Sequence, residues 1–397
     1  MNRSSTGAGR VPRVRSAIRA TLVAVVVLHG LLHLLGAAKG LGWTDVTQLT
    51  EPISTTVGVA WLAGAVLVVG AGMLLAAPTR WWWALGGAAA ISSQALISTS
   101  WTDAKAGTAV NVILAATVVH EYAARGPRSL RVAYQRQVSA ALAGPTGPAL
   151  VSDVELARLP TPIATYIRRS GAVGQPRVAD FRARIHGRIR GGTDKPWMVF
   201  TGEQVNTYGP SPSRLFFIDA TMFGLPVDVL HMFIGPSATM RVKLVSLITM
   251  VDASGPELDR AETVTLFNDL CVLAPSALVD AAITWLHTDD QHVRGTFTKG
   301  DHAVTADLVF DDDGDLADFS SDDRSSLSAD GKHLTQQRWS TPIGHYRTFA
   351  ARRAATYGEA RWHTPPPAGE FTYLEYHLDS ITYNIHHPHT TTASAPA

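Results

Sequence analysis

The chain has 397 residues, of which 46% are hydrophobic and 17% charged, and its net charge is +1. This near-neutral total combines a basic first part with an acidic remainder, since residues 1–149 carry 12 Lys and Arg against 4 Asp and Glu, whereas residues 150–397 carry 22 against 29. The acidic part argues against nucleic acid as a partner, because phosphate binding needs a basic surface, and a single cysteine excludes an intrachain disulfide.

Four apolar segments follow the basic N-terminus: Ala20–Ala38, Ser54–Ala77, Trp81–Ser100 and Ala106–His120. A bilayer core about 30 Å thick needs roughly 20 apolar residues in a helix. The first three segments have about that length and no charge, whereas the fourth is shorter and contains Asn111. We predict a disordered basic N-terminus over residues 1–16 and a four-span transmembrane region over residues 17–124.

The basic residues beside these segments predict an orientation in the membrane. Five Arg precede the first segment, and four more Arg lie within residues 125–136, after the fourth. The loops on the opposite side contain only two basic residues, Lys39 and Lys105. Because Lys and Arg are enriched in cytoplasmic loops, the pattern predicts a multi-pass protein of the cell membrane, with both termini and the soluble domain in the cytoplasm.

Two histidines, His29 and His33, lie four residues apart in the first segment and therefore share one helix face. Ionisable groups inside a membrane are costly and need partners or a function. One interpretation is hydrogen bonding to backbone or hydroxyl groups between closely packed helices. The alternative is a haem- or metal-bearing membrane subunit, with Asn111 and His120 completing the site, because neutral imidazole is a good ligand.

The rest of the chain predicts a linker over residues 125–150, a β-rich soluble domain over residues 151–385 and a disordered tail over residues 386–397. Leu156, Ile163 and Ile167 recur at helical spacing and indicate a leading helix, which Pro160 and Pro162 are expected to divide into two short pieces. From residue 178 onward, apolar and polar residues alternate in strand after strand, and one helical stretch over residues 256–280 interrupts them. Strands so numerous must curl or split. The predicted fold is α+β, a curved antiparallel half-barrel with a leading helix and an inserted helical segment.

A string of short motifs resembles an uncharacterised bacterial family, known only as a domain of unknown function, that often follows a small multi-span anchor. The motifs of the soluble part are Leu159–Ile163, Tyr166–Arg168, Gly171–Gly174, Lys195–Trp197, Val251–Leu258, Ala274–Leu278 and Ile283–Trp285, and those of the anchor are His33–Gly36 and Asp103–Thr108. The order of strands and helices is also similar to that of periplasmic lipoprotein-carrier domains, which shelter acyl chains in a half-barrel. The resemblance implies the fold and carries no established activity.

Two charged clusters have a plain and a functional interpretation. Asp311–Asp315 is acidic enough for calcium, but its Gly is fourth, whereas an EF-hand loop needs Gly at position six. A tight turn between strands explains the same residues. The basic cluster consists of Arg168, Arg169, Arg182, Arg184, Arg188 and Arg190. It fits contact with anionic headgroups and a solvated strand face equally well.

No catalytic spacing occurs in the chain, and no cofactor is predicted. The soluble domain is rich in aromatic residues, namely Trp197, Phe200, Phe216, Phe217, Phe223, Trp285, Trp339 and Trp362. We predict an apolar cavity for a lipid or other hydrophobic small molecule. Its predicted ligand contacts are Trp197, Phe217, Phe223, Trp285 and Trp362. The alternative function is an enzyme acting on a membrane-derived substrate, which would place His, Asp and Ser side chains face to face in a polar pocket.

Overall fold

A computed structural model describes residues 10–143, 148–327 and 333–385. The chain forms two compact units, one of Met1–Ala133 with Val245–Leu247 and the other of Tyr134–Leu244 with Ile248–Ala397. We call them the helical unit and the sheet unit. The predicted disorder of residues 1–9 and 386–397 lies outside the described residues, whereas residues 10–16, also predicted as disordered, belong to the first helix.

Helices stand at all four apolar segments of the helical unit. They are α1 (Arg10–Gly40), α2 (Thr55–Leu74), α3 (Trp82–Thr99), the short α4 (Trp101–Ala104) and α5 (Gly107–Arg125). The Ser54 hydroxyl accepts a hydrogen bond from the Val57 amide and caps α2. A Cβ on Gly40 would lie only 2.6 Å from the Cα of Gly58, so α1 and α2 approach closely because both positions are glycine.

The predicted count of four spans needs correction. Among the described residues, only Ser16–Gly40 and Thr55–Leu74 form helices long and apolar enough to cross a membrane. The segment of α3 fails because Ser92, Ser93 and Gln94 lower its hydropathy, and α5 fails because it carries Asn111 and ends in several polar residues. The absence of charge alone therefore overestimates the apolar length of α3, while α5 corresponds to the fourth segment, which is short and contains Asn111.

After α6 (Leu130–Ala141), which crosses the boundary between the units, the sheet unit opens with helices and continues with strands. The remaining helices are α7 (Asp153–Leu156), α8 (Thr161–Arg169), α9 (Pro256–Leu273) and a 3₁₀ helix (Pro275–Val279). A capping box between Ser152 and Glu155 starts α7. The predicted leading helix is thus two pieces, α7 and α8, and α8 buries Ile163, Tyr166 and Ile167.

The strands pair in antiparallel fashion throughout the described residues. They are β1 (Asp180–Ile189), β2 (Met198–Thr207), β3 (Ser213–Met222), β4 (Leu225–Ile234), β5 (Ser237–Leu244), β6 (Ile248–Ser254), β7 (Ile283–Thr288), β8 (His292–Lys299), β9 (His302–Phe310), β10 (Leu316–Ser321), β11 (Ser325–Leu327), β12 (Leu334–Gln336), β13 (Arg338–Ser340), β14 (Ile343–Phe349), β15 (Arg352–His363) and β16 (Glu370–Tyr383). Fourteen of these form one sheet, in the order β6-β5-β4-β3-β2-β1-β16-β15-β13-β10-β9-β8-β7, with β14 beside β15, while β11 and β12 form a separate ribbon. The large antiparallel sheet that we predicted is confirmed, and it is open because β6 and β7 remain its edges.

Helix α9 is the inserted helical segment, and the sheet wraps around it. Gly255, with a φ of 119°, makes the sharp turn from β6 into the helix. Of the 18 residues of α9, 14 are buried, because the helix contacts strands from both halves of the sheet. The Phe267 ring stacks 5.3 Å from Phe297 and meets the edge of Phe319 at the same distance. A helix buried on all sides must also bury its polar residues, which sets the chemistry described next.

Candidate functional site

A cavity of about 240 Å³ lies between α9 and the inner face of the sheet. Alternation along the strands turns Ile185, Ile189, Phe200 and Ile218 toward it, while their neighbours face outward. Its lining is completed by Gln204, Arg214, Phe216, His231, Met240, Glu262, Thr265, Asn268, Asp269, Val272, Leu273, Arg324, Trp339, Thr341, Glu359, Ala360, Trp362, Tyr373, Leu374 and Tyr376. Most of this surface is apolar, and its charged groups include Glu262 and Asp269 of α9, Arg214 of β3 and Glu359 of β15.

An ion triad forms the polar wall of the cavity. The guanidinium of Arg214, on β3, donates from Nε to Asp269 Oδ2 at 2.7 Å and from Nη1 to Glu262 Oε2 at 3.1 Å. Glu262 and Asp269 are seven residues apart on α9 and so lie on the same helix face. Gln204 Nε2 and Asn206 Nδ2 donate to the same Asp269 oxygen at 2.6 and 3.1 Å. All of these side chains are buried.

Glu262 and Arg214 keep their charges despite their burial. Burial works to raise the pKa of Glu262, but the positive charge of Arg214, together with His231 and Arg324, outweighs burial and holds that pKa well below its usual value. Burial likewise works to lower the pKa of Arg214, and the two carboxylates more than offset it, so that the Arg214 pKa is raised. Both groups are therefore ionised at neutral pH.

The second oxygen of Glu262, Oε1, has only distant polar neighbours. His231 Nδ1 lies 3.7 Å from it, Arg324 Nη2 lies 3.8 Å away and Thr265 Oγ1 lies 3.5 Å away. Thr265 gives its hydroxyl proton to the Ala261 carbonyl at 3.1 Å. His231 Nδ1 is itself buried without a hydrogen-bond partner in the described part of the chain. Distances of this length exceed those of good hydrogen bonds, so Glu262 Oε1 has long contacts with His231 and Arg324 at the cavity wall.

Arg324 connects the polar wall to the aromatic side of the cavity. Its Nε donates to Thr265 Oγ1 at 3.1 Å. Its guanidinium also lies over the faces of Trp339 and Trp362, at 4.6 and 5.4 Å from the ring centroids, and Trp362 stacks on Tyr373 at 5.4 Å. Cation–π contacts fix a guanidinium while leaving some N–H groups free of carboxylates.

Of the five predicted ligand contacts, Trp362 lines this cavity and four do not. Trp197 precedes β2, where Arg188 and Arg190 lie over its ring at 4.4 and 4.5 Å. Phe217 occupies an outward position of β3, with its ring 5.9 Å from that of Tyr134. The alternation of β3 gives the inner positions on either side to Phe216 and Ile218 instead.

The other two predicted contacts lie at the periphery of the sheet unit. Phe223 sits in the turn between β3 and β4 with a φ of 51° and is 83% exposed. Trp285, on the edge strand β7, covers Gly295 of β8, where a Cβ would meet the indole ring at 2.7 Å. The presence of an aromatic residue in the sequence does not by itself distinguish a side chain that lines the cavity from one in a turn or on an edge strand. Whether any of the five binds a ligand stays a prediction.

Several lining residues were not predicted, above all Arg214, His231, Glu262 and Arg324. One signal was present in the sequence: Glu262 and Asp269 lie on one face of α9, in the part of the helix that also carries Leu266 and Leu270. Buried carboxylates demand a buried cation. The identity of that cation depends on sheet register, since Arg214 comes from a strand 48 residues away from Glu262.

In the helical unit, His29 and His33 form a compact hydrogen-bonded cluster. Both Nε2 atoms contact Ser93 Oγ, at 3.1 and 2.9 Å, and His29 Nε2 also lies 3.2 Å from Asn111 Oδ1. Asn111 donates to Gln94 Oε1 at 3.0 Å. These contacts fit the interpretation of hydrogen bonding between packed helices. Among the described residues, no group of three His, Cys, Asp or Glu side chains could hold a metal ion.

The structure also shows the contacts of the two charged clusters. In the Asp311–Asp315 segment, the Asp311 carboxylate accepts from the amides of Asp313 and Asp315, as in a turn. In the basic cluster, Arg168, Arg169, Arg182 and Arg188 each pair with a carboxylate.

The enzyme alternative needs a serine that faces His and Asp side chains. The described lining of the cavity contains no serine.

Comparison with known proteins agrees with the family that the motifs indicate. Residues 149–376 match a family of unknown function, DUF6544, and the chain belongs to this family. No curated protein matches the chain.

The solved structures similar to the chain include a DUF1329 family protein from Desulfovibrio piger (10% identity, TM-score 0.34, covering 57% of this chain and 93% of that one). They also include a LolA superfamily protein from Nitrosomonas europaea (10% identity, TM-score 0.30, covering 55% and 92%). At such identities and TM-scores, these likenesses carry no argument about the function or the ligand.

Proposed function

We propose that this protein is anchored in a membrane by its helical unit and binds a lipid or other hydrophobic small molecule in the cavity beneath α9. The observation that carries the proposal is the cavity itself, an apolar space closed on one side by a charge-balanced wall. Small-molecule sites are typically concave and apolar with a few placed polar groups. The volume of about 240 Å³ suits a single-chain molecule better than a two-chain phospholipid.

Two helices of spanning length and composition support the membrane part of the proposal. Because two is an even number, the orientation inferred from the arginines is unchanged: Arg-rich segments lie on the cytoplasmic side and the loop between α1 and α2 lies outside. A Thr44→Cys variant, placed in that loop, should react with a membrane-impermeant thiol reagent in intact cells. A Ser211→Cys variant should react only after lysis, and the opposite pattern would reverse the orientation. The native Cys271 is buried and gives little background.

The cavity can be tested by native mass spectrometry of the full-length protein in phosphatidylcholine nanodiscs supplied with single-chain lipids. A Met240→Trp substitution places a large ring into the half-buried cavity lining. We expect it to lower the population of lipid adducts by about tenfold, because losing roughly 1.4 kcal/mol of apolar contact changes an affinity by that factor.

The matched control is Thr201→Trp, which adds the same ring to an exposed position of β2. Equal adduct populations in the wild type and both variants would place the lipid outside this cavity and contradict the proposal. Absence of adducts from the wild type would contradict it as well.

A further inference from the structure

We propose that the ligand of this cavity is an uncharged amphiphile, whose hydroxyl or amide head group binds at Glu262 Oε1 while its apolar chain lies along Ile185, Ile189 and Leu374. This inference rests on the proposed function and adds the chemical class of the ligand. The site consists of Glu262, His231, Thr265 and Arg324, and we call it the head-group site.

The spacing of the head-group site leaves room for one inserted polar group. The three neighbours of Glu262 Oε1 stand 3.5 to 3.8 Å away, too far for good direct hydrogen bonds. A hydroxyl placed among them would donate to the carboxylate oxygen and accept from the Arg324 N–H, each at ordinary length. The contacts of His231 and Arg324 with Glu262 Oε1 exceed 3.5 Å, a distance at which polar groups are often bridged by a third group rather than bonded directly.

The chemistry of the site favours a group that both donates and accepts. Glu262 Oε1 only accepts, and the Arg324 guanidinium only donates. The His231 Nδ1 atom takes either role according to its tautomer, and it is buried without a hydrogen-bond partner in the described chain, with Glu262 Oε1 3.7 Å away. A hydroxyl or a primary amide can hydrogen-bond to all three at once, whereas a bare hydrocarbon would leave the buried carboxylate oxygen and the imidazole nitrogen with long contacts only, which is unfavourable for buried polar groups.

The charge balance disfavours an anionic head group. The two guanidinium groups near the site, those of Arg214 and Arg324, are matched by the carboxylates of Glu262 and Asp269. Arg214 donates to these carboxylates from Nε and Nη1. A fatty-acid carboxylate or a phosphate at the same position would lie against Glu262. Burying a further charge without a counter-ion is strongly unfavourable. The site therefore selects against anionic lipids and in favour of neutral ones.

The apolar part of the cavity continues from the head-group site along the sheet. Ile189 of β1 pairs with Leu374 of β16, and both side chains line the cavity next to Tyr373 and Trp362. Arg324 lies over Trp362, so the polar and apolar parts share a boundary. One alkyl chain with one small polar head matches this arrangement, as in a monoacylglycerol or a fatty alcohol.

The test compares two probes that differ in the head group only, monomyristoylglycerol and myristate. Each is added at equal concentration to the full-length protein in phosphatidylcholine nanodiscs at pH 8, and adducts are counted by native mass spectrometry. We expect monomyristoylglycerol to be favoured by about tenfold or more, which corresponds to the cost of one unpaired buried polar contact. Myristate binding equally or better would overturn the inference while leaving the proposed function in place.

Two variants locate the preference at the head-group site. Glu262→Gln removes the negative charge and should reduce the preference for monomyristoylglycerol over myristate to about twofold or less, because the myristate carboxylate no longer lies against a second carboxylate. His231→Leu removes one hydrogen-bonding group without altering the two carboxylates. It should weaken the binding of monomyristoylglycerol by about three- to tenfold and leave the binding of myristate unchanged.

Protection of Cys271 from thiol reagents confirms that each variant is folded. A preference unchanged in both folded variants would overturn the inference. Binding of neither probe by the wild type would overturn the inference together with the proposed function.

Discussion

The two units each bury a polar cluster, and the clusters differ in how completely they are paired. In the helical unit, His29, His33 and Ser93 form hydrogen bonds of 2.9 to 3.1 Å. In the sheet unit, Arg214 pairs with Glu262 and Asp269, while Oε1 of Glu262, at the cavity, contacts its polar neighbours of the described chain at 3.5 to 3.8 Å. A closed cluster holds helices together, whereas an open one beside a cavity has capacity left for a ligand.

The largest effect is expected from a substitution that breaks the charged cluster. Arg214→Met removes the cation and leaves two buried carboxylates without it, so we expect a loss of about 3–5 kcal/mol of unfolding free energy in the sheet unit. The measurement is the rate at which Cys271, buried in α9, reacts with a thiol reagent in the full-length protein. The control Arg188→Met removes an exposed partner of Glu375 and should cost less than about 1 kcal/mol. Equal effects of the two variants would contradict the distinction between buried and exposed pairs.

The same contrast explains what could be predicted from the sequence. Alternation along β1, with Phe181, Ala183 and Ile185 inside, identified the sheet, because side-chain direction in a strand depends on nothing beyond position. Prolines at 160 and 162 predicted that the leading helix would break in two. These features are local, and the local rules were sufficient for them.

The site itself depended on long-range register. Arg214 reaches Glu262 only because β3 and α9 are brought together by the curvature of the sheet, and no local pattern encodes that distance. Phe217 and Phe216 show the same limit on a smaller scale. Both are aromatic neighbours on one strand, yet a single step of register decides that Phe216 faces the cavity and Phe217 faces away from it.

A smaller effect is expected from the closed cluster of the helical unit. Ser93→Ala removes the hydroxyl that both histidines contact, and we expect a loss of about 1–2 kcal/mol, since hydrogen bonds between apolar helices contribute modestly. Hydrogen exchange of the α1 and α3 amides in detergent micelles measures it. The matched control, Ser98→Ala, removes an exposed hydroxyl that bonds only to the Gln94 carbonyl of its own helix. If Ser98→Ala were as costly as Ser93→Ala, the cluster would contribute nothing specific to the packing of the helical unit.

A further prediction tests the ionisation of Glu262 through pH. Because its pKa in the folded protein lies below the ordinary value of about 4.3, the ionised carboxylate stabilises the fold fully above that value. As pH falls below about 4.3, protons bind the unfolded chain first, and the stabilisation is lost by up to about 1.4 kcal/mol per pH unit until the folded pKa is reached. The difference in unfolding free energy between the wild type and Glu262→Gln should therefore shrink between pH 6 and pH 3.

A neutral pair on the same cavity wall provides the reference for that measurement. Asn268 Nδ2 donates to Thr341 Oγ1 at 2.6 Å, and neither group titrates in this range. The difference between the wild type and Thr341→Val should thus stay constant from pH 6 to pH 3, measured by reaction of Cys271 with a dithiodipyridine, which reacts with thiols in acid. A constant Glu262→Gln difference would contradict the lowered pKa of Glu262. A wild type that gained stability relative to Glu262→Gln as pH fell from 6 to 3 would show that Glu262 is protonated in the folded protein. The head-group site would then offer a hydroxyl donor rather than a carboxylate, and the selection against anionic ligands would lose its physical basis.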